Sequence, residues 1–255
     1  MIKTFKFLKL KEKWKRSFRK RFSQKNPALY YIKRILSSES PLIIDVGAHV
    51  GQSAMEYLEV FKNPSIQCIE PCEESFEILV KRFCDDKRVK CFNIGFADKN
   101  EKLNLNINHS SDTNSFLDFT ENAGVIWQDS EHFQTKSCKQ IECFTLDAFC
   151  SQQRINQIDI LKLDAQGFEK NILIGGIEKM KSNEINFIYT EVSFQHTYKD
   201  QTKVHEVFEI LYNHNFEVFN FFENVTKSSQ LIQANILFIN KKFKNSKSSI
   251  LHYLV

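Results

Sequence analysis

Two short segments of this chain combine carboxylates and glycines at spacings suited to binding a charged cofactor. In residues 43–51 an apolar run ends at Asp45, and in residues 161–169 another ends at Asp164, with glycines close behind each. A buried parallel strand that delivers a carboxylate to the open end of a sheet has this pattern. Because ligands of open α/β sheets bind at the carboxyl ends of the strands, we predict that both segments line one ligand site.

The chemistry of the first segment distinguishes between cofactors. Its glycines follow the pattern Gly47-x-x-x-Gly51, and not the G-x-G-x-x-G with which backbone amides bind a pyrophosphate. Asp45 would also repel a diphosphate, whereas it favours a cofactor that carries an ammonium and a sulfonium. Glu70, at the end of the next predicted strand, is placed to accept hydrogen bonds from two ribose hydroxyls. The pattern therefore favours S-adenosyl-L-methionine over a nicotinamide cofactor.

Two further residues are candidates for the same cofactor site. His49 lies between the two glycines of the first turn. Asp98 follows the third predicted strand, and it either bonds the adenine amino group or forms a turn with Lys99 and Asn100. We predict that the cofactor-binding set is Asp45, Gly47, His49, Gly51, Glu70 and Asp98.

If such a cofactor gives its methyl group to a hydroxyl, positioning carries much of the catalysis, and a base that takes the hydroxyl proton assists it. The candidate catalytic residues are Asp164 and Glu191, at the ends of neighbouring predicted strands, and His196 just beyond them. Asp164 has an alternative role, in which it orients the sulfonium or Lys162. Neighbouring strand-end carboxylates such as Asp164 and Glu191 can also hold a divalent metal, but two are too few to define a magnesium site, so we assign no metal ligand and leave metal as the lesser alternative.

The elements that must position these residues alternate along the chain. The predicted helices are 27–38, 52–61, 73–83, 168–180 and 203–213, and the predicted strands are 42–45, 66–70, 89–96, 158–164, 185–191, 216–222 and 234–240. The last two strands can form an antiparallel pair, since their connection is too short for a crossover helix. We therefore predict an α/β fold with a doubly wound, mostly parallel seven-stranded sheet and an antiparallel edge hairpin.

The predicted domain, residues 27–240, contains one long interruption at 97–140, in which 103–107 alternates like a strand and 108–138 is rich in Ser, Asn, Asp and Thr. Long irregular insertions in compact domains are usually functional or mobile, and this one is predicted to lie over the open end of the sheet. Its Asn, Asp and Trp side chains suit a sugar, and the same composition also describes any polar loop; with two histidines, which are expected at the surface, the candidates are Asn108, His109, Asp112, Asn114, Trp127 and His132. The polar tail at 241–255 is predicted to be loose.

The arm at residues 1–26 has a different composition from the domain. Residues 1–25 contain eleven Lys or Arg and one acid, with Phe7, Trp14 and Phe18 close to helical spacing. Such a basic amphipathic helix either lies on an anionic membrane surface or packs its apolar stripe on the domain. Both interpretations stay open, and we expect no nucleic-acid partner because nothing else supports base stacking or groove recognition.

The bulk composition agrees with a cytoplasmic protein, in contact at most with the inner face of a membrane. Of the residues, 42% are hydrophobic and 26% are charged, and no apolar run is long enough to cross a bilayer. The seven cysteines are odd in number and form no CxxC pair, which favours reduced thiols. The basic N-terminus lacks the apolar stretch of a secretory signal.

Several motifs together resemble the FkbM-type methyltransferases, a Rossmann-like branch of the class I S-adenosylmethionine-dependent enzymes. They are Asp45-Val-Gly-Ala-His-Val-Gly51, Ile69-Glu70-Pro71, Phe144-Thr145-Leu146-Asp147, Leu161-Lys-Leu-Asp164-Ala-Gln-Gly167-Phe-Glu169, Gly175-Gly176 and Glu191-Val-Ser-Phe194. The chain departs from the family at His49, where asparagine is commoner, and at Gln166, where glutamate is common. The resemblance implies O-methylation of a sugar or other small-molecule or glycan hydroxyl. The alternatives are a non-catalytic binding module of the same fold and a nicotinamide-dependent oxidoreductase.

Overall fold

The structure, a computed structural model, describes residues 26–247. The strands are β1 (Leu42–Val46), β2 (Ser65–Ile69), β3 (Val89–Phe92), β4 (Gly95–Phe96), β5 (Glu101–Asn108), β6 (Thr135–Phe144), β7 (Ile158–Leu163), β8 (Ile185–Ser193), β9 (Phe216–Lys227) and β10 (Gln230–Asn240). The α-helices are α1 (Pro27–Leu36), α2 (Gln52–Val60), α3 (Glu73–Phe83), α4 (Ala123–Trp127), α5 (Leu146–Gln152), α6 (Glu169–Ile174), α7 (Ile177–Lys181), α8 (Val204–Asn213) and α9 (Lys241–Ser246).

The main sheet has seven strands in the order β3-β2-β1-β7-β8-β10-β9. The first five are parallel, and β10 and β9 add an antiparallel edge. This confirms the predicted doubly wound sheet with its edge hairpin. The strand order reverses between β1 and β7, and a reversal of this kind opens the crevice where such sheets bind ligands.

The central strands form because their apolar runs are buried on both faces. In β1, Ile43 and Ile44 are fully buried, and they belong to separate hydrophobic clusters on opposite faces of the sheet. The same alternation places Ile160 and Leu161 of β7 on opposite faces. Burying each such side chain contributes about 1.5–3 kcal/mol to the free energy of folding, so burial stabilises the two strands that carry the site.

A second, three-stranded sheet with the order β4-β6-β5 corrects two predictions. The predicted strand 89–96 breaks, because Gly95 and Phe96 leave the main sheet and pair with Cys143 and Phe144 of β6. The ten-residue strand β6 begins at Thr135, inside the segment 108–138 that the sequence analysis predicts as irregular, and continues to Phe144. Most of β6 is exposed and polar, so its sequence lacks the apolar alternation that signals a strand.

The predicted helix 168–180 is also wrong, because it is divided into α6 and α7 at Gly175 and Gly176. A Cβ atom on Gly175 would lie 2.2 Å from the carbonyl oxygen of Ala97. Only glycine permits this close approach of two backbones, and the break is where the helices meet the second sheet.

The predicted loose tail begins with an ordered helix. Asn240 caps α9, since its side chain accepts hydrogen bonds from the backbone of Lys242 and Phe243. The ring of Phe243 packs edge-on against Phe187, with 5.4 Å between centroids. The rest of the tail and the predicted arm helix at 1–25 lie outside the described residues. Among residues 26–247, no helix has the length and apolar character needed to span a membrane.

Candidate functional site

A cavity of about 760 Å³ opens at the carboxyl ends of β1, β2, β7 and β8. Five of the predicted site residues line it: Gly47, His49, Glu70, Asp164 and Glu191. Another part of the lining comes from the predicted insertion, through residues 110–116 and through Trp127, Asp129, His132 and Phe133. Of the sugar-suited side chains there, Asp112, Asn114, Trp127 and His132 line the cavity.

The turn after β1 brings the backbone of two neighbouring strands together. Gly47 has φ +76°, and its Cβ would lie 1.9 Å from the carbonyl oxygen of Asp164. The backbone amides of Gly47 and Ala48 both donate to the carbonyl of Ile69, at 3.0 and 3.1 Å. Gly51, with φ +91°, precedes α2 and packs under the ring of Phe83, so it shapes the turn from outside the cavity wall.

Replacing Gly47 by alanine is expected to lower the free energy of unfolding by at least about 2 kcal/mol. The added Cβ meets both an unfavourable φ and the backbone oxygen of Asp164. Urea titration of the purified variant measures the change. Met55→Ala, at a 40% exposed position of α2, serves as the control, and equal stability of both variants would contradict the argument.

Glu70 directly follows β2 and is buried, at 6% exposure. Its Oε2 accepts a hydrogen bond from the backbone N–H of His49 at 2.7 Å, and its Oε1 accepts one from Cys72 at 2.8 Å. Burial raises the pKa of Glu70 to about 7, although these two donors oppose the rise. An ionised carboxylate has about four acceptor positions, so two remain for a ligand in the cavity.

A buried lysine links the two motifs that the sequence singles out. The Nζ atom of Lys162 lies 3.3 Å from Asp45 Oδ1 and 3.3 Å from Asp164 Oδ2. Burial opposes the charge on Lys162, but the two carboxylates outweigh it and raise its pKa. For Asp45 burial acts in the opposite direction: it raises the pKa of this carboxyl, and the charge of Lys162 opposes that rise. The three groups therefore stabilise one another as an ion-paired cluster.

The position of Asp45 differs from the predicted direct contact with a cofactor. Asp45 is 0% exposed and lies behind the cavity wall, while Lys162 and Asp164 form part of that wall. Both carboxylate oxygens of Asp45 lack a hydrogen bond among the described residues, so Lys162 provides their charge balance. We infer that Asp45 acts on the cavity by holding Lys162.

The side chain of Gln166 joins the groups at the β7–β8 end of the cavity. Its amide nitrogen donates to Asp164 Oδ1 at 3.0 Å and lies 3.4 Å from Glu191 Oε1, which also accepts. Its amide oxygen accepts from the hydroxyl of Tyr198 at 3.0 Å. Burial raises the pKa of Glu191 well above its ordinary value, and the charge of Asp164 adds to the effect. A carboxylate of raised basicity suits proton abstraction.

Four of the nine predicted site residues do not line the cavity, namely Asp45, Gly51, Asp98 and His196. The side chain of Asp98 accepts a hydrogen bond from Asn171 Nδ2 at 3.3 Å, because the chain has already turned into the second sheet. His196 is exposed, and its backbone carbonyl accepts from Thr120 Oγ1 at 2.7 Å. Neither Asp98 nor His196 lines the cavity, so the structure gives no support to the adenine role of Asp98 or the base role of His196.

Glu169, a buried side chain at the first residue of α6, holds the turn that follows β7 in place. Its Oε1 accepts from the backbone amides of Ala165 and Gly167, at 3.0 and 3.2 Å. Burial raises the pKa of Glu169 to about 7. The side chain thus holds the turn that presents Gln166, whose φ is +51°.

Sequence reasoning missed the cavity roles of Lys162 and Tyr198. A signal for Lys162 was present, since a lysine inside the apolar run of a central strand must have a charged partner. Its register partner in β1 is Asp45. For Tyr198 no such signal exists, because it follows β8 in an irregular segment. Among the described residues, no group of three or more His, Cys, Asp or Glu is arranged to hold a metal ion.

Comparison with known proteins identifies relatives of the chain. Residues 45–218 match the family model described as the methyltransferase FkbM domain. The chain is 24% identical over 217 residues to 2-O-methyltransferase NoeI of Sinorhizobium fredii (strain NBRC 101917 / NGR234), a match that covers 83% of this chain and 84% of that protein.

Two solved structures show a weak overall likeness to this fold. Magnesium protoporphyrin IX methyltransferase (ChlM) from Synechocystis PCC 6803, solved with bound SAM, has a TM-score of 0.45 and 9% identity, over 86% of this chain and 79% of that chain. Precorrin-6y C5,15-methyltransferase from Geobacter metallireducens GS-15 has a TM-score of 0.43 and 11% identity, over 82% and 83% of the two chains.

Proposed function

This chain belongs to the FkbM methyltransferase family, and from that premise we propose that it methylates a hydroxyl of a sugar, glycan or glycoconjugate precursor. Its cofactor is S-adenosylmethionine, which when bound supplies an electrophilic methyl group. The observation that carries the proposal is the carboxylate of Glu191, which lines the cavity with a raised pKa. A hydroxyl is a poor nucleophile, and a nearby base improves it by taking its proton.

The residues at the β1–β2 end of the cavity fit the cofactor. Glu70 has acceptor positions left for two ribose hydroxyls, and charge-assisted hydrogen bonds of this kind are strong. Gly47 lets the turn after β1 approach the backbone of Asp164 closely, and Gly47, Ala48 and His49 of this turn line the cavity with Glu70. We assign the binding of the cofactor to this turn, with His49 and Glu70 on the cavity wall.

The residues at the β7–β8 end fit a hydroxyl acceptor. Glu191 would accept the hydroxyl proton, and Gln166 would hold Glu191 and Asp164 in place through its amide. Asp164 is already in contact with Lys162, so its charge is partly balanced and Glu191 is the stronger candidate for the base. Asp164 then has a positioning role in this proposal.

The relative NoeI supports transfer to oxygen, since its name describes a 2-O-methyltransferase. The polar segment 110–115 on the cavity wall supplies hydroxyl, amide and carboxylate groups that suit the hydroxyls of a sugar. No observation favours a non-catalytic binding module, and the family assignment opposes a nicotinamide-dependent oxidoreductase.

The proposed reaction is tested with S-adenosylmethionine that carries a ¹³C-labelled methyl group. The protein is incubated with this cofactor and a panel of glycosides and oligosaccharides, and the products are examined by carbon NMR. We expect a new O-methyl resonance on a sugar carbon. A labelled methyl on nitrogen or carbon, or the absence of any labelled sugar, would contradict the proposal.

We also propose that residues 1–25 bring the enzyme to an anionic membrane surface near a lipid-linked acceptor. The support is the excess of eleven basic residues over one acid, with aromatic residues at helical spacing. Deleting residues 1–25 is expected to abolish co-sedimentation with vesicles of anionic lipid, while cofactor affinity is unchanged. Equal sedimentation of the truncated and the full-length protein would show that the arm does not bind lipid.

A further inference from the structure

The cavity is longer than the part assigned to the cofactor. Its lining residues come from four strands that are neighbours in the order β2-β1-β7-β8. Adjacent strands lie about 4.8 Å apart, so the ends of β2 and β8 are separated by roughly 14 Å. Glu70 lies at one end of this span and Glu191 at the other. The Glu191 end is therefore free to take the acceptor.

The wall at the Glu191 end carries a pair of aromatic rings. Trp127 and Phe133 both line the cavity, and their rings are stacked with 6.1 Å between centroids and 20° between planes. Phe119 packs edge-on against Phe133 and stacks on Tyr198, at 5.3 and 5.1 Å. The rings thus form one continuous cluster that ends at the cavity.

This aromatic wall is attached to the strand that carries the proposed base. Trp127 Nε1 donates to Thr197 Oγ1 at 2.9 Å, and the backbone N–H of Thr120 donates to the Thr197 carbonyl at 2.9 Å. Thr197 follows β8 by a few residues, and Gln201 Oε1 accepts its N–H at 2.9 Å. The rings are therefore held in a fixed relation to Glu191.

The charges around the cavity distinguish between acceptors. The carboxyl groups that line it are Glu70, Asp112, Asp129, Asp164 and Glu191, against two lysines, Lys162 and Lys227. Burial raises the pKa of Glu70 and of Glu191, so these two add negative charge only as the pH rises through their raised pKa values. One of these lysines, Lys162, is already in contact with Asp45 and Asp164. His132 also lines the cavity and contacts Asp129, and the carboxylates Asp112, Asp129 and Asp164 outnumber the two lysines when His132 is neutral. A phosphate or carboxylate on the acceptor would meet like charge.

We propose that Trp127 and Phe133 form a stacking subsite for an uncharged sugar ring, and that the acidic wall rejects sugar phosphates and uronic acids. The apolar C–H face of a sugar packs on aromatic rings, while Asp129 and the polar segment 110–115 bond its hydroxyls. The subsite deepens the proposed function and rests on it, since it presumes that the acceptor is a sugar.

The two tryptophans of the chain, Trp14 and Trp127, allow binding to be measured without catalysis. In the full-length Trp14→Phe variant, Trp127 is the single tryptophan and its fluorescence reports on the subsite. The variant is titrated with methyl hexopyranosides, with the matching methyl hexuronides and with hexose 6-phosphates, in the presence of S-adenosylhomocysteine. We expect saturable fluorescence changes with neutral glycosides, at concentrations at least about tenfold lower than with the anionic probes.

Methylation assays on the same probes separate the subsite from the proposed function. Trp127→Ala is expected to raise the acceptor KM at least about tenfold with unchanged cofactor affinity, and Trp127→Phe to recover most of the loss. Tyr212→Ala, at a 48% exposed position of α8, is the control for loss of an aromatic ring. Asp129→Asn is expected to reduce the ratio of the acceptor KM for anionic probes to that for neutral probes.

The outcomes that overturn the subsite differ from those that overturn the reaction. Methylation of neutral glycosides with an unchanged KM in Trp127→Ala would refute the stacking subsite and leave the proposed function standing. Equal fluorescence titrations with neutral and anionic probes would refute the charge selection. Cofactor binding without any glycoside binding or methylation would refute both the subsite and the proposed function.

Discussion

Glu191→Gln is expected to lower kcat for methyl transfer by about 10²- to 10⁴-fold, the range typical for loss of a general base. The amide keeps the size of the side chain and its contact with Gln166 but has no basic oxygen to take the hydroxyl proton. Cofactor affinity is expected to stay within about twofold, because Glu70 lies at the other end of the cavity. Single-turnover methylation and calorimetry measure the two effects separately.

The pH profile of the same reaction distinguishes a base from a residue that only shapes the site. A base acts when ionised, so the wild-type rate is expected to rise with pH through the pKa of Glu191, which burial places above the ordinary value. The Gln variant is expected to lose this rise. Glu178→Gln, with a 72% exposed side chain on α7, is the control. A kcat within about threefold of wild type in Glu191→Gln would rule out the base assignment.

Glu70→Ala is expected to weaken S-adenosylmethionine binding at least about 100-fold. Each hydrogen bond to a charged group contributes about 1.5–3 kcal/mol, and the substitution removes two proposed bonds to ribose. It also leaves the backbone N–H groups of His49 and Cys72 without their acceptor. Calorimetric titration measures the affinity, with Glu77→Gln, an exposed position on α3, as the control.

The affinity of the wild-type protein for S-adenosylmethionine is expected to depend on pH through Glu70. Burial raises the pKa of Glu70 to about 7, so the carboxyl is protonated in the free protein below that pH and ionised above it. The ionised form accepts the ribose hydroxyls, and affinity should therefore rise between pH 6 and pH 8. In Glu70→Gln this dependence should disappear. A wild-type affinity that is constant over this range would contradict the assignment.

The strands that carry the site were predictable because their residues are buried on both faces. Their apolar runs are typical of buried central strands, and the structure buries Ile43, Ile44, Ile160 and Leu161 completely. Asp164, which follows the second run, is therefore expected at the edge of the sheet. The second sheet was not predictable from such a pattern. Most of β6 is exposed, and its pairing with β5 and β4 joins segments far apart in sequence.

At the site, too, the differences between the predicted and the observed positions arise from contacts that local sequence does not determine. Asp98 follows a strand that leaves the main sheet after Phe92, and the sequence gives no sign of this break. His196 lies in an irregular segment held by Gln201, so its distance along the chain from Glu191 did not predict its direction. The burial of Asp45 behind Lys162 depends on the register between β1 and β7, which local sequence does not encode.

The crystal structure of the protein with S-adenosylhomocysteine and a neutral methyl glycoside tests the central claim most directly. We predict ribose hydroxyls within about 3.2 Å of the Glu70 carboxylate, and a sugar hydroxyl at a similar distance from Glu191 with its ring against Trp127. This arrangement would establish one cavity with a cofactor end and an acceptor end. A sugar bound away from Glu191, or a cofactor that does not touch Glu70, would contradict the account.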